Sequence, residues 1–285
     1  MAARLQVCRP SCEHTPVHVP VFQSPRPLVF AHRGGARLAP ENTMVALDHG
    51  LLLGADGLEL DVQLSADGVP VVIHDKTLDR TTDRVGPVRN FTADELARVD
   101  AGYRFEREGA HSFRGQGHGV PTLAAVLARH REARVIIEMK GGEPELARAV
   151  ARDVRAAGAV ERVCVGSFHQ RSIVTLREEA PEIVTSASQP EARWALHRSW
   201  VRWPWIGPRP YVAFQVPERA GRLRVVTPAF IDQVHAEGQV IQVWVVNEEA
   251  DIIRLLEWGV DGVISDRPDI AVKVVAAWYN QRQPE

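Results

Sequence analysis

The chain has 285 residues, of which 45% are hydrophobic and 25% charged, and its formal net charge is -2. This composition is ordinary for a globular protein and gives no electrostatic reason to expect a nucleic-acid partner. Three cysteines are too few for a disulfide scaffold, and no apolar run reaches the roughly 18 residues of a membrane span.

The first segment, residues 1–26, contains four prolines and no clear hydrophobic period, which predicts an N-terminal tail or a strap beneath the domain. It lacks the apolar region of a signal peptide. We therefore expect a cytoplasmic protein, with association to a membrane surface left open. Cys8 and Cys12 lie in this tail, and we expect them to stay unpaired in a reducing compartment, a bridge between them being the alternative.

From residue 27 to 285, short apolar strands alternate with helix-like segments, which predicts a parallel sheet with helical crossovers. Eight such strands predict closure into one (β/α)8 TIM barrel, a fold that typically takes about 250 residues. The predicted strands are Leu28–His32, Gly57–Gln63, Val135–Lys140, Val163–Phe168, Ile183–Ala187, Tyr211–Val216, Val240–Val246 and Gly262–Ser265. The predicted helices include Thr43–Leu53, Glu143–Ala157, Gln170–Glu179 and Asp251–Trp258. Asn42 or Thr43 is placed to cap the first helix, and about 76–120 breaks the alternation as a small insertion after strand two.

The second predicted strand continues into a hairpin. Residues 65–68 have the composition of a tight loop, with glycine at the position that needs a positive φ. If Leu64 pairs with Val69, the register places His74 directly across from Glu59, with their Cβ atoms about 5 Å apart.

Three carboxylates occupy strand ends, where the catalytic groups of a barrel lie. Glu59 and Asp61 are two residues apart, so both point to one face of their strand. Together with Glu138 they form a buried acidic group that is costly unless a cation neutralises it. Oxygen ligands favour Mg²⁺ or Ca²⁺ and admit Mn²⁺. The alternative is a structural network in which the carboxylates pair with Arg33 and Lys140.

Basic residues adjoin this acidic group. Arg33 offers a planar fork suited to phosphate oxygens and Lys140 a movable point charge, which predicts an anion site for a phosphodiester. His32 and His74 come from different strands on either side, and two histidines can supply both a general base and a general acid. Which histidine has which role stays open at this point.

Four further residues are expected at the same mouth as substrate-binding candidates, namely Ser167, Phe168, Gln215 and Trp244. Core packing of Phe168 and Trp244, and a capping role for Ser167, are alternatives of equal weight. Asp266 is expected to fix a turn after the last strand.

A tryptophan-rich segment, Trp194–Trp205, follows the fifth predicted strand and holds four of the chain's seven tryptophans. Four arginines are interleaved with it or flank it: Arg193, Arg198, Arg202 and Arg209. Tryptophan and arginine together suit a lipid headgroup interface, so lipid or membrane-surface contact is one prediction. The other is an ordinary helix that packs on the barrel and ends at Pro204.

The ordered motifs of this chain resemble the glycerophosphodiester phosphodiesterase family over roughly residues 29–274. They are Phe30–Gly35, Pro40–Thr43, the hairpin, Ile137–Lys140 and Gly259–Pro268. The resemblance implies metal-dependent hydrolysis of a small-molecule glycerophosphodiester to glycerol 3-phosphate and an alcohol, through attack of the glycerol hydroxyl on phosphorus. It also implies that the insertion caps the active-site mouth. The alternatives are a lysophospholipase D acting on acylated substrates and a catalytically silent lipid- or metabolite-binding barrel.

Overall fold

A computed structural model describes residues 19–201, 203, 207 and 209–283 of the chain. Most of the predicted tail lies outside the described residues, as do Cys8 and Cys12, so their pairing stays an expectation. Cys164 is buried as a free thiol, and burial raises its pKa to about 12. No helix among the described residues combines the length and apolar character that a bilayer crossing requires.

Strands occur along the whole described chain, and most of them build one barrel wall. They are β1 (Leu28–His32), β2 (Gly57–Leu64), β3 (Pro70–Val72), β4 (Arg134–Met139), β5 (Val163–Gly166), β6 (Ala213–Pro217), β7 (Arg219–Ala220), β8 (Leu223–Arg224), β9 (Val240–Trp244) and β10 (Gly262–Ser265). Neighbouring strands follow the order β5-β4-β2-β1-β10-β9-β6, with parallel pairing throughout this path. This is the predicted TIM barrel, with β3 paired beside β2 and a separate two-stranded hairpin formed by β7 and β8.

The barrel closes between β5 and β6 through the segment predicted as the fifth strand. Residues 183–187 form single parallel bridges instead of a regular strand, so the prediction of a continuous strand over Ile183–Ala187 is wrong, although the segment does pair in the place of that strand. Thr185 bridges to β5 and Ser186 bridges to β6. The segment has room for one pairing on each side because a turn at Pro181 precedes it and a helix starts at Gln189.

Helices cover the outside of the barrel. They are α1 (Met44–Leu52), α2 (Ala93–Leu96), α3 (Leu123–Arg129), α4 (Pro144–Ala156), α5 (Gln170–Glu179), α6 (Gln189–Val201), α7 (Pro228–Ala236), α8 (Glu249–Trp258) and α9 (Pro268–Asn280). The four predicted helices are confirmed as α1, α4, α5 and α8. Thr43, the second of the two predicted candidates, caps α1 by accepting a hydrogen bond from the backbone N–H of Ala46.

The hairpin after β2 differs from the prediction by one residue. Leu64 pairs with Pro70, and the N–H of Ser65 donates to the carbonyl of Val69 at 3.0 Å. The loop therefore has three residues, with Gly68 at φ 75, and the predicted pairing of Leu64 with Val69 is wrong. His74 consequently does not lie across from Glu59 in the sheet; it comes after the end of β3, where the chain bends.

The insertion has an apolar core of its own, which also includes two residues of the hairpin. Its buried members are Val71, Ile73, Leu78, Val88, Ala93, Leu96, Val99, Ala101 and Val120. Burial of this cluster anchors the insertion to β3 and so to the edge of the barrel.

Two arginines, Arg198 within the tryptophan-rich segment and Arg209 after it, contact the same carboxylate. Arg198 is buried, and its Nη1 and Nη2 donate to Glu237 Oε1 and Oε2 at 3.0 and 3.1 Å. Arg209 lies 3.3 Å from the same carboxylate. Arg198 therefore joins α6 to the end of α7, Arg209 joins the chain after α6 to the same point, and both guanidinium groups are engaged by Glu237.

Candidate active site

The register of three adjacent strands assembles the acidic group. His32 on β1 is the neighbour of Glu59 on β2, and Asp61 on β2 is the neighbour of Glu138 on β4. In each of the three carboxylates one oxygen lies within 4.8 Å of the others. Strand order and parallel pairing alone therefore bring together residues that are far apart in the sequence.

The turn after β1 directs Arg33 into this group. Arg33 has φ 53 and Gly34 φ 85, and a Cβ on Gly34 would lie 2.4 Å from the backbone carbon of Ala46. Helix α1 therefore packs directly on this turn, which only glycine permits. Arg33 Nε lies 2.9 Å from Asp61 Oδ2, and Arg33 Nη1 donates to Glu41 Oε1 at 2.9 Å.

Asp61 and Glu138 are compensated by positive charge. Lys140 Nζ lies 3.0 Å from Asp61 Oδ1 and 2.9 Å from Glu138 Oε1. The amide of Asn42 donates to Asp61 Oδ2 at 2.8 Å. Burial would raise the pKa of Asp61, but Arg33 and Lys140 outweigh that effect and hold the pKa low. Asp61 and Glu138 therefore both have the ion-pair partners that a purely structural network would require.

Glu59 is the exception. Among the described residues no lysine or arginine side chain lies within ion-pair distance of it, and its closest cationic partner is His32 Nε2 at 3.8 Å. Burial and the charge of Asp61 raise the pKa of Glu59 to about 7. A cluster of three carboxylates with one left unpaired fits a divalent cation, and its oxygen-only ligand set suits Mg²⁺, Ca²⁺ or Mn²⁺.

His32 is oriented by an aspartate from the strand on its other side. Its Nδ1–H donates to Asp266 Oδ1 at 2.6 Å, and Asn247 donates to Asp266 Oδ2 at 3.0 Å. Burial lowers the pKa of His32, but the bond to Asp266 and the charge of Glu59 outweigh it and leave that pKa raised. This arrangement leaves Nε2 facing the carboxylates.

His74 is held in the same way by its sequence neighbour. Its Nδ1–H donates to Asp75 Oδ1 at 2.6 Å. Burial lowers the pKa of His74 more than the charge of Asp61 and the bond to Asp75 raise it. Both histidines therefore have Nδ1 on a carboxylate, and within the part of the chain that the structure describes neither Nε2 has a hydrogen-bond partner.

Arg80, a residue of the insertion, joins the two halves of the site. Its guanidinium forms two-pronged contacts with Asp75 at 2.6 and 3.1 Å and with Glu41 at 2.8 and 2.7 Å. Asp75 holds His74, and Glu41 holds Arg33. The bond to Arg80 lowers the pKa of Asp75 to about 2, so its carboxylate is ionised at neutral pH.

We expect Arg80→Ala to lower kcat by about 10- to 10²-fold, because Asp75 and Glu41 lose their shared partner and misplacement of about 1 Å can cost that much. Without the guanidinium, the charge of Asp75 acts undiminished on His74 and raises its pKa. The limb of the pH–rate profile that reports His74 should therefore move to higher pH. Arg80→Lys should not restore the rate, because lysine lacks the planar fork. Arg84→Ala, in the same segment, serves as the control, and an unmoved pH profile in Arg80→Ala would contradict the positioning role.

The active-site cavity has a volume of about 550 Å³ and is lined by both histidines, Arg33, Glu59, Glu138 and Lys140. All four further candidates line it as well: Ser167, Phe168, Gln215 and Trp244. The Ser167 hydroxyl donates to the carbonyl of Met139 at 2.6 Å and accepts from the N–H of His169, so it holds the loop before α5, whose cap position is occupied by His169. Phe168 and Trp244 pack edge to face with ring centroids 6.0 Å apart.

Residues 76–120 do not line the cavity; they lie beside it and contact the site through Arg80.

Several site residues were assigned other roles or none from the sequence. Asp266 orients His32 instead of merely fixing a turn. Asn42 contacts Asp61 and leaves the helix cap to Thr43. The signal for Asp266 was available, since a closed barrel places the end of the last strand beside the end of the first.

Carboxylates, two buttressed histidines, an arginine and a lysine in one cavity at the carboxyl ends of barrel strands define a hydrolase of phosphate esters. The model of the glycerophosphoryl diester phosphodiesterase family matches residues 32–270. The chain belongs to this family and is an enzyme that hydrolyses glycerophosphodiesters.

Two relatives and two solved structures illustrate the similarity. Glycerophosphodiester phosphodiesterases from Bacillus altitudinis and Caldanaerobacter subterraneus subsp. tengcongensis are 36% and 32% identical, over 86% and 87% of this chain and 97% of each relative. The crystal structure of the Agrobacterium tumefaciens enzyme has a TM-score of 0.71 at 34% identity, covering 87% of this chain and 99% of that one. A phosphodiesterase from Oleispira antarctica, solved in complex with the product sn-glycerol-3-phosphate, shares the fold with a TM-score of 0.71 at 24% identity, covering 88% of this chain and 97% of that one.

Proposed function

We propose that the reaction depends on a divalent metal ion held by Glu59, Asp61 and Glu138, and that His32 and His74 transfer the protons. The observation that carries the proposal is the convergence of three carboxylates beside the cavity that both histidines line; among the described residues, one of the three, Glu59, has no lysine or arginine side chain within ion-pair distance. The metal would supply positive charge to the phosphate and to its transition state. Mg²⁺ and Ca²⁺ are the ions that the ligand set favours, with Mn²⁺ next.

The chain's own residues account for binding and proton transfer. Lys140 and the donors of Arg33 that remain free of carboxylates would bind the phosphate oxygens. One histidine accepts the proton of the glycerol hydroxyl as its oxygen bonds to phosphorus. The bond from phosphorus to the alcohol oxygen breaks, and the other histidine protonates the leaving alcohol. Water then opens the cyclic phosphate with the two roles exchanged, which yields glycerol 3-phosphate, the product present in the Oleispira antarctica complex.

The test is release of glycerol 3-phosphate from a panel of glycerophosphodiesters that differ in the alcohol. We expect stoichiometric glycerol 3-phosphate and alcohol from at least one of them when Mg²⁺ or Ca²⁺ is supplied. Glycerol phosphate formation without any dependence on metal would refute the metal part of the proposal, and release of free glycerol instead would refute the position of attack.

We also propose that the exposed face of α6 contacts a lipid surface. Trp194, Trp200 and Val201 are 58%, 55% and 69% exposed, and Trp194, His197 and Val201 follow at helical spacing along this face. Tryptophans exposed this close together on one helix are typical of side chains that contact the lipid headgroup region of a membrane. Trp203 is exposed as well, while Arg202, Pro204 and Trp205 lie outside the described residues.

We expect Trp194→Ser with Trp200→Ser to reduce co-sedimentation with phosphatidylcholine vesicles by about fivefold or more, because the tryptophans supply the apolar contact. Both side chains are exposed, so the melting temperature should stay unchanged. Leu52→Ser with Val85→Ser, which removes exposed apolar side chains elsewhere, is the matched control. Equal sedimentation of both double variants and the unchanged chain would exclude α6 as the contact.

A further inference from the structure

A second pocket lies between the insertion and the loops that follow β1 and β10, and most of its charged side chains are arginines. We propose that this arginine pocket binds a small soluble phosphate monoester, the product glycerol 3-phosphate included, and that occupation of the pocket slows catalysis. Its volume is about 520 Å³, and within the described residues it shares no lining residue with the active-site cavity. The identity of this product and its order of release rest on the proposed function.

Positive charge exceeds negative charge in the lining of the arginine pocket. Five arginines and three glutamates line it, which leaves an excess of two positive charges. The arginines come from three separate parts of the chain: Arg37 from the loop after β1, Arg80, Arg104 and Arg107 from the insertion, and Arg267 from the turn after β10. Positive charge collected around a concave surface attracts anions, and guanidinium groups match phosphate oxygens in geometry.

Two of the five arginines are already neutralised by carboxylates. The Arg80 guanidinium is shared by Asp75 and Glu41. The Arg267 guanidinium donates to both oxygens of Asp269 at 2.9 and 2.8 Å. An anion in the pocket would therefore be held mainly by the other three arginines.

Those three arginines lack a short contact with a carboxylate. Arg37 Nη1 lies 3.6 Å from Glu248 Oε1, and Arg107 Nε lies 3.5 Å from Glu108 Oε1. Arg104 Nε donates to a backbone carbonyl of the insertion at 3.2 Å, and over the described ranges no carboxylate comes within ion-pair distance of this side chain. Each guanidinium carries several N–H donors, so donors remain for a ligand on all three.

Two of the three glutamates extend toward solvent. The side chains of Glu106 and Glu108 are 56% and 83% exposed, so their carboxylates stay hydrated. Glu108 and Gly109 form a tight turn with φ 54 and 78, across which the backbone groups of Arg107 and Ala110 exchange two hydrogen bonds of 3.0 Å. This turn fixes the backbone that carries Arg107 beside the pocket.

Arg80 connects the arginine pocket with the active site. Arg80 and Glu41 line the pocket, whereas Arg33, the partner of Glu41, lines the active-site cavity together with His74. An anion in the pocket would compete with Glu41 and Asp75 for the Arg80 guanidinium. It would thereby weaken the contacts that hold Arg33 and His74 in place, so its binding should lower kcat while substrate can still bind.

Calorimetry with glycerol 3-phosphate, in Mg²⁺ and at constant ionic strength, counts the binding sites. We expect two sites per chain, one in the active-site cavity and one in the arginine pocket. Arg104→Gln and Arg37→Gln should each weaken the second site by about tenfold or more, as expected when a hydrogen bond to a charged group is lost. Because the two substitutions lie in different segments, a folding defect in one variant leaves the other to decide.

Arg84→Gln is the matched control for these variants. Arg84 belongs to the same insertion, its side chain is 63% exposed, and its Nε lies 3.6 Å from Asp83 Oδ2. It resembles the pocket arginines in lacking a short carboxylate contact but does not line the pocket. Both sites should therefore keep their affinity in Arg84→Gln.

Product inhibition measures the coupling between the two sites. Glycerol 3-phosphate leaves the active site last in the proposed sequence, so its binding there should only compete with substrate. Its binding in the arginine pocket should add a component that lowers kcat by about fivefold or more at saturation. In Arg104→Gln this component should largely disappear, while kcat without added product should equal that of the unchanged chain.

The outcomes separate binding, coupling and the proposed function. A single site in the unchanged chain, or a second site that both variants leave intact, would overturn the arginine pocket. Purely competitive inhibition despite two sites would overturn the coupling through Arg80. Sedimentation with phosphatidic acid vesicles that depends on Arg104, without a second site for glycerol 3-phosphate, would overturn the soluble ligand. Absence of hydrolysis with every metal would refute the proposed function and leave the calorimetric result unaffected.

Discussion

Substitution of either active-site histidine is expected to reduce kcat by about 10² to 10⁴-fold, the usual contribution of a positioned acid or base. His32→Ala and His74→Ala should each retain the fold, because both side chains lie in the cavity and not in a hydrophobic core. His111→Ala, which changes an exposed loop histidine of the insertion, is the matched control. A variant that keeps nearly the full kcat would remove its histidine from the mechanism.

The same two histidines should also determine how the rate depends on pH. One histidine must be neutral and the other protonated, so the rate should fall at both low and high pH. The pKa of His74 is lowered chiefly by burial, and that of His32 is raised because Asp266 and Glu59 outweigh burial. The acidic limb therefore reports the lower of these two pKa values and the basic limb the higher.

Removal of metal is expected to abolish activity, with a loss of at least about 10³-fold, since a metal contributes several kcal/mol to phosphoryl transition states. EDTA should cause the loss, and Mg²⁺, Ca²⁺ or Mn²⁺ should reverse it. The same ions should raise the melting temperature, because a ligand that binds only the folded state stabilises it.

Glu138→Gln tests the ligand set directly. The substitution removes one anionic oxygen donor while keeping the shape of the side chain, so the metal-induced rise in melting temperature should largely disappear together with the activity. Glu145→Gln, at the exposed start of α4, should behave like the unchanged chain. Full activity in a verified metal-free preparation would contradict the assignment.

Much of the site could be predicted because catalytic groups of a barrel lie at strand ends. That rule, with the shared face of Glu59 and Asp61, the cost of burying like charges and the family resemblance, predicts the acidic group that also includes Glu138, and parallel pairing of β1, β2 and β4 explains why its members meet. The predicted closure of the barrel already places Asp266 beside His32, because the last strand pairs with the first, but the hydrogen bond between the two side chains also depends on their conformations. Sequence pattern places residues on strands, but contacts between distant strand ends follow only from the complete strand order.

The remaining errors have local causes. Ser65 pairs with Val69, so the loop has three residues where four were expected, and the composition of residues 65–68 is compatible with either length. The segment over residues 183–187 has an apolar, strand-like sequence but space for only one bridge on each side. Arg80 lies outside every motif, and its contacts with Glu41 and Asp75 depend on how the insertion folds.

The link through Arg80 constrains how this part of the protein can vary. With its own buried cluster, the insertion resembles a unit that could be exchanged between relatives. If packing alone decided whether such an exchange succeeds, the insertion would need only two residues of the barrel's hairpin, Val71 and Ile73. Yet a chimaera with a well-folded foreign insertion would misplace His74 and Arg33 unless the graft also supplied a guanidinium between Glu41 and Asp75. In this enzyme, packing and catalysis therefore set different boundaries for what can be transplanted.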